Sequence, residues 1–461
     1  MPKKTSSSRR GPLSAHVARS SNRREFFTQS TVAVGSTVAL GGSAAVAAGE
    51  TILAGGVGAI PACHASGSDT LRIGLIGCGA RGRGAAIEAI QASLPGSVGA
   101  AVGRVELVAM ADVFANHLQT AYRAINGRHR DHVNVGGRRF VGIDGWKGVL
   151  AADVDMVLLA TPPAFRPLHF AAAVDAGKHV FMESPLATDM PGVRRVMATG
   201  KIAEEKGLAV SVGLQRRHEA RLRECVDRLH DGVIGKLLEA RTVCSSALLR
   251  RLPCNQSSDR LEEQLRRWQD HDWASGGFTD ERHLHCLDAI HWVTGQTPVA
   301  AKVVESAASD CAGDAGGEEF GEVTEKLTEA KSTRAIELDQ ENGFRIVTEL
   351  HAGRGSDRGK GELVIGAKGV CDLTRSIIRD HRGKVIWQSE AKEIAGKGWQ
   401  RQFNELIAGL RNGHTMRNHS LGVACTTTAI LERTALQTDR NVDVRDLMVC
   451  DQSYAHPQCT L

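Results

Sequence analysis

No run in this 461-residue chain is both long and apolar enough for an ordinary transmembrane helix. No collagen-like or heptad period recurs, which excludes a fibrous or coiled-coil chain. The eleven cysteines, an odd number scattered from Cys63 to Cys459, include no CxxC pair. That argues against a zinc ribbon or a disulfide-dense scaffold and leaves one or two disulfides open. Charge of one sign is also scarce. The first 48 residues set seven Lys and Arg against Glu25 alone and account for the net +5; the rest of the chain is close to neutral. Such a body carries no electrostatic footprint for nucleic acid or for an anionic membrane.

What is present is apolar residue enough for sizeable cores, 42% of the chain, and length enough for two or three domains. Residues 1–48 stand apart. Arg23 and Arg24 precede Phe26 and Phe27, no charge follows until after Gly49, and Ala45-Val46-Ala47 has the small-x-small form of a cleavage site. The segment resembles a twin-arginine export signal, which implies a periplasmic protein with no membrane contact once the signal is removed. That route carries folded proteins, so a cofactor can be loaded before export.

Residues 49–70 are rich in Gly, Ala and Ser and read as a linker. Strand and helix patterns then alternate. Leu71–Ile76, Val105–Ala111, Asp155–Ala160, His179–Met182 and Leu208–Val212 read as buried strands; Arg81–Leu94, Pro167–Ala176 and Gly192–Lys206 read as helices. Fully apolar strands alternating with helices predict an α/β fold with a doubly wound parallel sheet, assigned to residues 71–190. Residues 191–461 read as an α+β domain with an open, mainly antiparallel sheet. Asn342-Gly343 between two alternating runs signals a hairpin, Gly361–Ile365 and Gly369–Leu373 read as further strands, and Trp399–Leu410 and Leu421–Gln437 as closing helices. Residues 305–330 are acidic and Gly/Ala-rich and read as an exposed loop.

Gly77-Cys78-Gly79-Ala80-Arg81-Gly82 is a G-x-G-x-x-G run between a predicted strand and a predicted helix. The first Gly permits the tight turn, the second lets backbone approach a pyrophosphate, and the third lets the helix pack closely. Phosphates would sit over the helix N-terminus, where unpaired N–H groups favour negative charge. Asp112 ends the next apolar strand, where its carboxylate can accept from adenosine-ribose hydroxyls. It would repel a 2′-phosphate, and no Arg or Lys follows in Val113–Asn116, so NAD is expected over NADP. The segment Leu94–Arg104 reads as a loop that lengthens the spacing from Gly82 to Asp112.

Further motifs follow in order: Ala160-Thr161-Pro162-Pro163, with His169 beyond; Gly177-Lys178-His179-Val180 leading into Glu183-Ser184-Pro185; Gly213-Leu214-Gln215-Arg216-Arg217-His218; and Glu281-Arg282-His283-Leu284-His285-Cys286-Leu287-Asp288. Over residues 71–455 the series resembles the Gfo/Idh/MocA oxidoreductases, in particular their exported branch of planctomycete type. The resemblance implies a nicotinamide-binding Rossmann domain and hydride transfer at a sugar, cyclitol or polyol hydroxyl. It also implies a C-terminal sheet that joins copies of the chain into homo-oligomers. It places Thr161, Pro162 and Glu183 against the cofactor, with Gln215 and Arg216 bordering nicotinamide or substrate. His285 takes the catalytic position, and Glu281 stands where Asp is commoner. Where the family has Lys in Glu-Lys-Pro, this chain has Ser184, shorter and uncharged, at a position next to the reacting oxygen.

On a helix, Glu281, His285 and Asp288 share a face, so Glu281 can orient His285 and Asp288 can face substrate; a surface ion pair and a core-facing His fit the same spacing. His283 and His285 point about 200° apart, which argues against a metal site. Trp268, Trp273 and Trp292 fit either a sugar platform or core packing. Besides dehydrogenation, the same motifs fit a glycoside-cleaving relative that recycles bound NAD, or a non-catalytic dinucleotide- or sugar-binding relative that has lost the lysine.

Overall fold

Six apolar segments of the first half pair into one parallel sheet in the computed structural model, which describes residues 69–94, 103–245, 261–277, 281–305, 334–351, 362–391 and 397–454. The expected leader, nearly all of the linker and nearly all of the acidic stretch 305–330 lie outside the described residues. The units run β1 (Thr70–Ile76), α1 (Ala80–Gln91), β2 (Arg104–Asp112), α2 (Ala115–Arg128), β3 (Arg139–Val141), α3 (Gly145–Ala151) and β4 (Met156–Leu159). They continue with α4 (Arg166–Asp175), β5 (His179–Met182), α5 (Met190–Glu205) and β6 (Val210–Val212). The strand order is β3-β2-β1-β4-β5-β6, the doubly wound order that opens a crevice where β1 and β4 diverge.

Alternation along β1 feeds two cores. Ile73 and Leu75 pack with Met110, Leu158 and α1 on one face; Ile76 packs with Val157, Leu159 and Phe170 of α4 on the other. The parallel sheet is therefore covered on both sides, as its uninterrupted apolar strands require.

The second half contributes α6 (Ala220–His230), β7 (Leu237–Ser245), α7 (Leu261–Arg266), α8 (Asp272–Ser275) and α9 (Glu281–Thr294). Then come β8 (Ala300–Glu305), β9 (Arg334–Asp339), β10 (Arg345–His351), β11 (Leu363–Gly366), β12 (Gly369–Asp372), β13 (Ile377–Asp380) and β14 (Val385–Gln388). The last elements are α10 (Lys397–Arg411), α11 (His419–Thr438), β15 (Val442–Asp443) and α12 (Val444–Met448). The nine strands lie in the order β14-β13-β12-β11-β7-β10-β9-β8-β15, antiparallel except for the β7–β10 pair. The expected hairpin joins β9 to β10; Gly343 takes φ +80° in the turn and Asn342 Oδ1 accepts the Phe344 N–H. One face buries Ala240, Ile336, Ile346 and Val364 against α6, α9 and α11. The other carries charged rows, with Lys302 on Glu337 at 2.6 Å and Arg345 on Glu239 at 2.9 Å.

The division at residue 190 needs correction. Helix α5 is the crossover that feeds β6, and β6 pairs in parallel with β5 through Val180 and Val210, so the first sheet runs to Val212. Helix α10 also returns to it. Phe403, Leu406 and Ile407 join the core under α1, and Phe403 meets Phe181 with ring centroids 4.5 Å apart. A helix more than 200 residues past the expected boundary thus completes the first domain, because its apolar stripe fits that sheet face.

Cys78, Cys225, Cys286, Cys371, Cys425 and Cys450 are free thiols.

Candidate active site

The turn from β1 into α1 is shaped by its glycines. Gly77 has φ +95°, and a Cβ there would come within 2.7 Å of the Ala160 carbonyl. A Cβ on Gly82 would strike the Gly77 carbonyl oxygen, so the first turn of α1 packs against the strand end only as glycine. Gly79 differs: among the described residues nothing lies within 4 Å of where its Cβ would be. It is the N-cap of α1, and no side chain caps that end. Free N–H groups at a helix start, beside open space, suit an anionic ligand brought against backbone. Gly79 and Ala80 are exposed. Cys78 turns inward, its Sγ 3.3 Å from the Ala111 carbonyl oxygen, and burial pushes its thiol up; only its backbone can serve a ligand.

Asp112 fixes the neighbouring turn. Its carboxylate accepts the N–H groups of Cys78 at 2.6 Å and Phe114 at 2.8 Å, which ties the ends of β1 and β2 together. A cavity of about 160 Å³ opens there between the ends of β1, β2 and β4, with Gly77, Gly79, Asp112, Thr161 and Pro162 in its wall. Thr161 Oγ1 lies 3.2 Å from His169 Nδ1. His169 is neutral, its pKa lowered to about 3 by burial and by Arg166.

Arg81 departs from a simple phosphate contact. Its Nε donates to Glu183 Oε1 at 2.6 Å, its Nη2 to Glu88 at 2.6 Å, and its guanidinium lies 5.3 Å from the Trp399 ring centre. The side chain thereby links the glycine turn to the buried carboxylate that follows β5. Ser184, next in sequence, donates its hydroxyl to the Gly213 carbonyl at 3.1 Å. It brings no charge, and its proton is already committed to backbone.

From the second half, α9 brings His285 to this edge. The imidazole Nε2 is 3.1 Å from Gln215 Nε2, which stands just after β6. Gln215 Oε1 and His285 Nδ1 are both buried without a hydrogen-bond partner among the described residues. Two unsatisfied polar atoms in one buried residue pair are costly unless something polar meets them. His285 is pushed down to about 4, first by burial; Arg216 adds to the depression, and Asp288, Glu183 and Glu362 oppose it.

The remaining expected residues are placed otherwise. Arg216 is paired with Glu362 at 2.5 Å, and its second contact is the His285 carbonyl at 3.4 Å. Asp288 is not a substrate ligand in this arrangement. Its carboxylate is fully buried, held by Arg217 Nε at 2.9 and 3.0 Å and approached by Cys425 Sγ at 3.3 Å. Shared helical spacing put it on a face with His285, but the strong neighbouring cation draws it into the core. Glu281 begins α9, and its side chain lies outside the description. His283 turns away to Glu432 at 2.8 Å, and Thr348 donates to the same carboxylate at 2.7 Å. Among the described residues no group of three His, Cys, Asp or Glu is arranged to hold a metal. Trp268 lines the cavity by Asp112, Trp273 meets Phe165 edge-on at 6.0 Å, and Trp292 lies under Arg217 at 5.2 Å, so the three form no common platform.

Glu362 and Glu432, which fix the residues around His285, gave no sequence signal; each lies more than 140 positions from its partner. Leu265 and Arg266 in the cavity wall were equally silent.

Residues 71–214 match the Gfo/Idh/MocA model, described as an oxidoreductase family with an NAD-binding Rossmann fold. Two curated relatives align with parts of the chain. The dTDP-3,4-didehydro-2,6-dideoxy-alpha-D-glucose 3-reductase of Actinomadura kijaniata is 34% identical over 26% of this chain and 36% of its own. Inositol 2-dehydrogenase 3 of Saccharopolyspora erythraea is 31% identical over 51% of this chain and 57% of its own. The chain thus aligns with about a third to just over half of their lengths. Among solved structures, the aldose-aldose oxidoreductase of Caulobacter crescentus superposes with a TM-score of 0.57 at 17% identity. That superposition covers 81% of this chain and 99% of the other, and shows a shared fold.

Proposed function

We propose that this chain, which belongs to the Gfo/Idh/MocA oxidoreductase family, is an NAD-dependent dehydrogenase acting on a secondary hydroxyl of a sugar, cyclitol or polyol. The observation that carries the reading is the buried pair Gln215–His285, with its two unsatisfied atoms, at the same sheet edge as the glycine turn and Glu183. The glycine turn fits a pyrophosphate: Gly79 faces open space and the N-terminus of α1 has no side-chain cap. The Asp112 carboxylate favours ribose hydroxyls over a 2′-phosphate. When bound, NAD supplies the hydride acceptor. The chain's own task is to hold the hydroxyl and remove its proton. His285 is neutral well above pH 4; with the Gln215 amide turned so that its Oε1 accepts from Nε2–H, Nδ1 is left free to accept that proton. The neutral form is the active one in oxidation, so activity is present above its pKa and is lost as pH falls through about 4.

The direct test is to titrate purified protein with NAD and then offer a panel of sugars and cyclitols while following NADH. Absence of dinucleotide binding would end this reading. One observation favours a second. Ser184 supplies no cation beside the reacting oxygen, which fits a binder, or a glycoside-cleaving enzyme that returns the hydride to the same sugar. Turnover that arises only in Ser184→Lys supports the binder; free sugar released from a chromogenic glycoside supports the cleaving enzyme.

Two wider features belong to the same proposal. The twin-arginine pattern of residues 1–48 supports export to the periplasm, checked by cell fractionation with Arg23 and Arg24 intact or both replaced by Lys. The face of the second sheet that the described residues leave uncovered, with its charged rows and exposed Val385 and Ile386, supports a homo-oligomer, checked by sedimentation.

A further inference from the structure

The cavity beside Asp112 has two walls from distant parts of the chain. One is the glycine turn with Thr161 and Pro162. The other is Leu265, Arg266 and Trp268, from α7 and the turn that follows it. This second wall is anchored. Leu265 is buried in an apolar cluster with Phe114 and Phe165, two residues that flank the cavity from the first half. The Arg266 guanidinium stacks 4.2 Å from the Phe114 ring centre while its Nη2 donates to Glu262 at 2.9 Å. Trp273 closes the cluster edge-on to Phe165 and donates its indole N–H to Gln264 at 2.7 Å. Behind it, buried Arg433 of α11 donates to the Gly276 carbonyl at 2.5 Å, where φ is +87°.

We propose that Arg266 and Trp268 are cofactor-binding residues that close the adenosine end of the dinucleotide site, with Leu265 as their anchor. The inference rests on the NAD reading above. Asp112 marks the expected ribose position at the end of β2, and an adenine would lie beyond it, toward Phe114 and this wall. An adenine ring offers a π-face and ring nitrogens. A guanidinium already held against an aromatic ring is pre-ordered to stack on a base or to donate to it, at little further entropic cost. Trp268 adds a second flat surface. The first half alone would leave this end of the crevice open, and a cofactor would leave it sideways. With the second wall present, departure needs α7 to separate from Phe114 and Phe165. Release is therefore slower than from an open crevice, and NADH must leave past this wall before NAD can enter for the next oxidation.

The test uses the full chain. NADH-loaded protein is mixed with excess NAD, and the loss of bound NADH fluorescence gives the release rate. Arg266→Ala is expected to release NADH about tenfold faster, and the double variant Arg266→Ala with Trp268→Ala about a hundredfold faster. Melting without cofactor should stay unchanged in both, since neither side chain is in the main cores. Arg267→Ala serves as control: that residue is 75% exposed, paired with Asp270, and absent from the cavity wall, so release should match the parent. Release rates within twofold of the parent for both wall variants would overturn the inference while leaving the cofactor reading standing. A parent that binds no dinucleotide overturns both.

Discussion

The two ends of the crevice are built on different principles. At the glycine turn, shape is set by backbone: Gly77 and Gly82 remove Cβ atoms, Gly79 leaves space, and Asp112 ties two strand ends by accepting N–H groups. At the imidazole end, shape is set by side chains that hold one another: Gln215 on His285, Arg216 on Glu362, Arg217 on Asp288, His283 on Glu432. A backbone site is specified within a few residues and tolerates little change there. A side-chain site depends on partners from several elements, and its members fail together when one partner is lost.

The largest expected effect tests the chemistry assigned to the second end. His285→Asn keeps a polar side chain beside Gln215 but removes a group able to take a proton. We expect kcat/KM to fall about 10²–10⁴-fold, with NAD affinity nearly unchanged. A loss under threefold would show that the imidazole end does not carry the proton and that the two ends do not divide the work.

Next is the pairing itself. Arg217→Leu leaves Asp288 fully buried without its cation. Breaking a buried pair on one side costs about 3–5 kcal/mol, readable as a lower denaturation midpoint at unchanged slope. Replacing both, with Asp288→Leu added, should recover most of the loss, because two uncharged side chains leave no stranded charge. If the single and double variants are equally destabilised, packing rather than charge holds α9, and the contrast drawn above fails at this end.

The contrast also explains what could be read from the sequence. Parallel βα units are local, so β1, β2, β4 and β5 were legible from apolar runs alone, and the G-x-G-x-x-G turn marked itself by residue type. The hairpin at Asn342-Gly343 was legible for the same reason, a short-range turn signal. Leu208–Val212 was legible as a strand too, yet the boundary at residue 190 was set before it, and no local pattern shows that α10 reaches the first sheet from far along the chain. Asp288 was misread because helical periodicity tells which residues share a side but not that Arg217 waits there. The wall formed by Leu265 and Arg266 carried no motif, since a stacked guanidinium and a small apolar cluster exist only once Phe114 and Phe165 are brought across.

A milder pair of substitutions sharpens the backbone end. Gly79→Ala adds a Cβ into open space, so the protein should fold with unchanged stability. The same methyl stands where a pyrophosphate must approach, and NAD affinity should fall about 10–100-fold. Gly82→Ala forces the Gly77 carbonyl to move, so it should lower stability and NAD affinity together. Calorimetric titration and thermal melting on both variants distinguish space kept for a ligand from space kept for packing. If Gly79→Ala binds NAD as the parent does, the turn is a structural glycine corner and nothing more.

The smallest effect asks whether the cavity wall at the backbone end contains any polar pairing worth the name. Thr161→Val keeps the shape of the side chain and removes the hydroxyl 3.2 Å from His169 Nδ1. His169 is buried and neutral, so its ring nitrogen would lose its partner without gaining a charge to solvate. A buried neutral group left unsatisfied costs about 1–2 kcal/mol, well below the loss expected for Arg217→Leu. The loss should be the same at pH 6 and pH 8, because the His169 pKa of about 3 keeps the ring neutral at both. A loss that shrinks as pH falls from 8 to 6 would mean that His169 takes up a proton in the folded variant once the hydroxyl is gone, and this end of the crevice would then share the electrostatic character of the other.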